Sequence, residues 1–355
     1  MALLEISNLH LQLASFDGRA QVLQGVSLSL ERGQILGLVG ETGCGKSVTG
    51  LSVSRLLQSP PAHYTAGEIL FEGRDLLKLN EAQMRPLRGR RIGMVFQDPT
   101  TNLNPAFRIS TQMIDVALAL GIHSPDILEV PPNASKGVRR AAARALAIQW
   151  LDRVGISEAA RRIDLYPHEF SGGMRQRVLI AMAMMGRPDV LIADEPTTAL
   201  DVLVQAQIMK LMHELVTDYQ IGILLITHNL GLVAQLCTHV AVMYAGQVAE
   251  TGEVAPVFAQ PRHPYTHALL AAVPSRNSVR GALQSLAGTV PQLFTPPPGC
   301  RFADRCSRAI DICRTQAPVL SSTTTAANRT HLVACYSPVP QPGPETTAQI
   351  GGTYA

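Results

Sequence analysis

The 355-residue sequence has no run of about 18 consecutive apolar residues, so nothing in it reads as a helix that crosses a membrane. Its N-terminus, MALLEISNLH, lacks the charged segment before an apolar one that marks a secretory leader. Charge of a single sign is also scarce. Thirty Lys and Arg against 27 Asp and Glu leave a net charge of +3 and no basic run, which argues against nucleic acid as the partner. Cysteine numbers only six, and four of them (Cys300, Cys306, Cys313 and Cys335) gather near the C-terminus, a local cluster rather than a secreted disulfide framework. These absences predict a cytoplasmic chain that spans no membrane. What the sequence does have is 46% hydrophobic residues, enough for a sizeable core in one large domain or two ordinary ones.

The apolar pattern divides the chain. LLEISNLHLQL and VLQGVSLSL alternate apolar with polar residues and predict a half-buried antiparallel β-layer. GQILGLVG, RIGMVFQ, DVLIADEP and GILLITHN are short, nearly unbroken apolar runs ending in polar residues. Such runs predict parallel strands buried on both faces, with chemistry at their carboxyl ends. Between the second and third, residues 98–186 have helical spacing and predict an inserted helical subdomain, with an exposed Pro-rich loop at 124–135. The first domain is expected over 1–258. A small Cys-rich appendix should follow at 259–336, and 337–355 has too little to bury to be ordered. The fold class is α/β, a P-loop core of parallel strands with an N-terminal antiparallel layer, the helical insertion and the appendix.

GETGCGKS at 40–47 fits G-x-x-x-x-G-K-[ST] between an apolar strand and a helix-compatible stretch, the context that motif needs. Gly40, Glu41, Thr42, Gly43, Cys44 and Gly45 would let backbone N–H groups converge on phosphates at a helix N-terminus, continuing through Val48. Lys46 would hold the β- and γ-phosphates of ATP, and the Ser47 hydroxyl would ligate Mg²⁺. DVLIADEP ends in Asp194, which would reach Mg²⁺, and Glu195, which would face the attacking water. Gln97 and His228 end two more predicted core strands and could converge on the same point, Gln97 also toward Mg²⁺. Alone, His228 would be an ordinary strand-end histidine. Positive potential near the loop is expected to lower the Cys44 pKa, so that its alkylation would block ATP; Cys237 reads as helix packing.

A second Ser-Gly-Gly, in SGGMRQR at 171–177, also opens a positively charged helix. Taken in order, these residues resemble the nucleotide-binding subunits of ATP-binding cassette transporters. GETGCGKS stands as Walker A, Gln97 as the Q-loop, SGGMRQR as the signature, LIADE as Walker B, TALD at 198–201 as the D-loop and His228 as the switch histidine. The resemblance implies a head-to-tail pair in which Ser171, Gly172 and Gly173 of one subunit contact the γ-phosphate held by the other. Asp201 would run along that interface. The resemblance also puts an adenine-stacking aromatic near Phe16, a residue that could equally belong to the core of the β-layer.

QDPTTNLNP, YPHEFSGG and RHPYTHALLAAVP look like the peptide and nickel importer branch, nearest the D-type subunits of dipeptide and oligopeptide permeases. The resemblance implies a second ATPase of a distinct F type, two transmembrane permeases docked near Asp98–Pro105, indirectly a substrate-binding protein, and a place on the cytoplasmic face of the membrane. RHPYTHALL is also simply a helix started by Pro264. The four clustered cysteines are spaced too widely for the usual zinc pairs. Relatives of this kind imply a [4Fe–4S] cluster on Cys300, Cys306, Cys313 and Cys335, with zinc or reduced thiols as alternatives. Nickel, glutathione or antimicrobial peptides could replace short peptides as the solute. A soluble cassette ATPase acting on ribosomes or DNA is the rival from another class, but the chain carries one cassette and no sustained heptads.

Overall fold

A computed structural model describes residues 2–123, 125–131, 133–198, 200–273, 286, 288–322 and 331–340, without the side chains of 122, 123, 125 and 126. Alternation at the N-terminus gives β1 (Leu4–Ser15) and β2 (Gly18–Leu30), an antiparallel hairpin. The continuous apolar run that follows gives β3 (Ile35–Val39), buried along its length. β4 (Ala62–Phe71) returns to β1 and pairs with the two-residue β5 (Arg74–Asp75), so the first sheet reads β2-β1-β4-β5.

β6 (Ile92–Val95), β7 (Val190–Asp194), β8 (Gly222–Thr227) and β9 (His239–Tyr244) join β3 in a second sheet. There β9, β3, β8, β7 and β6 lie side by side and parallel. Side chains of β3, β7 and β8 are buried on both faces, which is why these runs do not alternate. β10 (Gln247–Glu253) turns back antiparallel on β9. Beyond it lie β11 (Ser321–Ser322) and β12 (Leu332–Val333), with β12 hydrogen-bonded to β10. The C-terminal segment therefore extends the main sheet, a join that two-residue strands leave without a sequence signal.

Among the described residues 98–186 no strand occurs. The main helices there are Ile109–His123, Lys136–Arg153 and Gly172–Met184. Their apolar faces share a core with the second sheet, in which Ile114, Trp150 and Val178 are buried. Of the stretch expected as an exposed loop at 124–135, Glu129, Pro131, Asn133 and Ser135 are exposed; the 3-10 turn Pro125–Leu128 within it buries Leu128. Residues 337–340, expected as the start of a disordered tail, are held in place. The Val339 N–H donates to the Arg262 carbonyl, and Arg308 Nε donates to Ser337 O at 3.2 Å. Residues 341–355 lie outside those described.

Candidate functional site

At the carboxyl end of β3 the chain passes through Gly40 to Gly45 into the helix Lys46–Ser54. Gly40 has φ 154°, and a Cβ there would lie 2.0 Å from the Met243 carbonyl oxygen, so the loop passes where only glycine fits. Lys46 is buried, and its Nζ donates to the carbonyls of Gly40 (2.8 Å) and Glu41 (3.0 Å). The Ser47 hydroxyl donates to Asp194 Oδ1 at 3.0 Å, which brings the ends of β3 and β7 together. Burial pushes the Asp194 carboxyl up, with the neighbouring Glu195 charge adding to it, while Ser47 and Lys46 pull down. A carboxylate so placed gains from a cation nearby.

Glu195 follows in the left-handed region, φ 47°, a strained conformation for a side chain of its size. Its carboxylate is the hub of the cleft. Thr198 Oγ1 donates to it at 2.7 Å, Gln97 Nε2 at 3.1 Å, and His228 Nδ1 lies 3.1 Å away. Burial pushes this carboxyl up, but the bonds from Thr198 and His228 outweigh it and the net shift is down. The ends of β6, β7 and β8 thus deliver Gln97, Glu195 and His228 to one point. Thr198 opens the TALD stretch at 198–201, whose sequence gave its hydroxyl no role of its own.

These groups line an open cleft of about 660 Å³ with Thr42, Gly43 and Val48 on its phosphate-loop side, a size suited to a small-molecule ligand. Phe16 is fully exposed at the β1–β2 turn and does not line the cleft. Ser171, Gly172 and Gly173 also lie outside its lining. Ser171 caps the helix Gly172–Met184 by accepting from the Met174 N–H at 3.3 Å. A Cβ on Gly173 would stand 2.4 Å from Val204 Cγ1, so this turn packs tightly on the helix Val202–Tyr219. Asp201 caps that second helix, accepting from the Val204 N–H at 2.9 Å; Ala199, in the same loop, lies outside the described residues.

The expectation for Cys44 is corrected. Burial dominates and raises its pKa, and the pull of Lys46 does not reverse it. Only 1% of the residue is exposed, so positive potential at the loop does not make this thiol reactive. Cys237 ends the helix Leu230–Leu236, buried, with its thiol pushed up to about 12.

The other four cysteines meet. Cys300, Cys306, Cys313 and Cys335 line one cavity together with His263, whose pKa burial holds down at about 4. All four are free thiols. Burial raises Cys300, Cys306 and Cys335, the last to about 11, and the thiols' mutual proximity adds to each shift. Among the described residues no group of three or more His, Cys, Asp or Glu is arranged to hold a single metal ion.

Comparisons with known proteins agree with this layout. A family model described as ABC transporter matches residues 23–198, and one described as Oligopeptide/dipeptide transporter, C-terminal region, matches residues 249–313. The oligopeptide transport ATP-binding protein OppD of Bacillus subtilis is 45% identical over 317 residues, 89% of this chain and 84% of its own. The dipeptide transport ATP-binding protein DppD of the same organism is 45% identical over 310 residues, 87% of this chain and 88% of its own. OppD of Salmonella typhimurium is 42% identical over 337 residues, 95% and 94%. Among solved structures, the bacterial ABC transporter cassette MJ0796 superposes with a TM-score of 0.58 at 25% identity, over 71% of this chain and 98% of that one. The protein cbiO1 of Clostridium perfringens gives 0.58 at 27% identity, over 73% and 91%. The core described above has the fold of these cassettes.

Proposed function

The chain belongs to the ATP-binding cassette transporter family, alongside oligopeptide and dipeptide transport ATPases, and from that membership we propose that it is the ATP-hydrolysing subunit of a peptide importer. The observation that carries the reading is the convergence of Lys46, Ser47, Glu195, Gln97 and His228 on one cleft, with Asp194 bonded to Ser47 just behind its lining. No helix among the described residues is long and apolar enough to cross a membrane, and the family membership points to separate permeases as the path for solute. The chain sits peripherally against them on the cytoplasmic face. Asp98, which caps the short helix Pro99–Asn102, and the exposed Phe107 mark the side offered to them.

In the working cycle Lys46 leaves the carbonyls of Gly40 and Glu41 for the nucleotide phosphates. Ser47 and Asp194, with Gln97, would hold Mg²⁺, whose charge offsets that of the phosphates. Glu195, ionised and oriented by Thr198, Gln97 and His228, accepts the proton of the attacking water. Ser171, Gly172 and Gly173 lie off the chain's own cleft, which fits their serving the cleft of a second ATPase, a D-type and F-type pair being the preferred composition. Asp201 belongs to the same seam, and Phe16 stays free to stack on adenine.

The four cysteines fit a [4Fe–4S] cluster better than zinc. Their gaps of five and six residues are wider than the Cys pairs usual in structural zinc sites. Four thiols lining one cavity, Cys313 buried and the other three half-buried, supply the donor set that a cluster takes. Its contribution there would be to tie the loops that carry Cys300, Cys306, Cys313 and Cys335.

The test is Glu195→Gln, incubated with Mg-ATP in solubilised source membranes through a tag. ATP binding is expected to stay near wild type while turnover falls at least about a hundredfold, as for loss of a general base, with two permeases and a second ATPase co-purifying. Wild-type turnover would remove Glu195 from the mechanism, and recovery of ribosomal or DNA-repair proteins would replace the importer reading.

A further inference from the structure

The C-terminal segment hydrogen-bonds the phosphate loop at Glu41. Its N–H donates to Tyr265 Oη at 2.9 Å, and its carbonyl receives Lys46 Nζ at 3.0 Å. Its carboxylate takes both Arg305 Nη groups, at 2.7 and 2.9 Å. Arg305 is 264 positions away in sequence and directly precedes Cys306. Its side chain is only 6% exposed. The guanidinium lies over the rings of Tyr244 (5.6 Å) and Phe302 (5.9 Å), and donates to Tyr244 Oη at 3.1 Å. A guanidinium does not deprotonate in a protein, so Arg305 is a fixed positive charge.

A carboxylate on a loop that receives a triphosphate is electrostatically misplaced, because the ligand brings more negative charge to the same spot. A bidentate guanidinium cancels that charge and fixes the carboxylate's direction. Tyr265 meanwhile fixes the Gly40–Glu41 peptide, whose Gly40 carbonyl also accepts from Lys46 at 2.8 Å. We propose that Arg305 is a positioning residue for nucleotide binding: it neutralises Glu41 and, with Tyr265, sets the phosphate loop from outside the cassette core. The proposal rests on the loop being the nucleotide site, as read above.

The test titrates mant-ATP into the full-length chain with Mg²⁺, melting each variant in parallel. Arg305→Met keeps the packing on Tyr244 and Phe302 but removes the charge. Its Kd should rise about tenfold, the worth of one strong charge-assisted bond. Adding Glu41→Gln should bring Kd back to within about threefold of wild type, because the repulsion has gone with the charge. A merely structural clamp would lose melting temperature in both variants with no such recovery. Tyr265→Phe, which removes only a hydroxyl, should raise Kd about threefold at an unchanged melting temperature. An unchanged Kd in Arg305→Met, or no recovery in the double variant, overturns the proposal. Lys46→Ala separates the two readings: if it too binds normally, the nucleotide site itself has been misassigned.

Discussion

At the scale of single residues, the phosphate loop shows how far a motif speaks and where burial takes over. Positions 40–47 fix the backbone path, since Gly40 admits no side chain beside the Met243 carbonyl. The same pattern misdirects for Cys44, because potential from a nearby lysine is visible in sequence and desolvation is not. The four clustered cysteines show the opposite case, since their closeness in sequence does carry over to one shared cavity. Cys306→Ser is accordingly expected to lose at least about half of the iron from anaerobically purified protein, with ATP affinity within about threefold of wild type, as for one lost ligand of four. Metal analysis beside mant-ATP titration checks it, and stoichiometric zinc in the wild type would rule the cluster out.

Elements were legible where the apolar pattern had a clear period. β3, β6, β7 and β8 all fall on unbroken apolar runs, and the helices of the insertion fall on helical spacing. The convergence of Gln97, Glu195 and His228 was legible for the same reason, since parallel strands end on one side of their sheet. Thr198, Tyr265 and Arg305 were not. Their contacts depend on where the turn after Glu195 and the C-terminal segment settle against other parts of the chain, and no periodicity encodes that. Within the insertion the helix Lys136–Arg153 is anchored by Trp150, 3% exposed, with its ring centroid 5.6 Å from that of Tyr219. Trp150→Ala should cost about 3–5 kcal/mol. Circular dichroism melting checks this, and a shift of under a degree would mean that the ring contributes no packing.

Across the whole molecule, four charged residues join segments that are distant in sequence. Arg32 meets Asp189 at 2.8 Å and Glu72 at 2.5 Å; Arg91 meets Glu72 at 2.7 Å and also pairs with Asp189. The bond from Arg91 is the largest cause holding Glu72 below the usual carboxylate range. Asp189 is pushed up by burial, but its bonds from Arg91 and Arg32 win and leave it low. Lowered folded pKa values mean stability that is complete above the unfolded values, near pH 4, and lost as pH falls through the folded ones. Asp189→Asn should therefore lower stability at pH 7 by about 1 kcal/mol after solvent screening. The gap to wild type should narrow in melts run toward pH 3, and a gap constant with pH would show that the charges are not its source.

The pairing of β12 on β10 also has a consequence for self-association. An uncovered β10 would present unpaired N–H and C=O groups at Glu250 and Thr251, an open sheet edge that can recruit another chain. The cysteine-bearing segment closes that edge with two short strands, the outermost being two exposed serines that offer little to stack upon. The segment that braces Glu41 is thus also the guard that keeps the main sheet from growing.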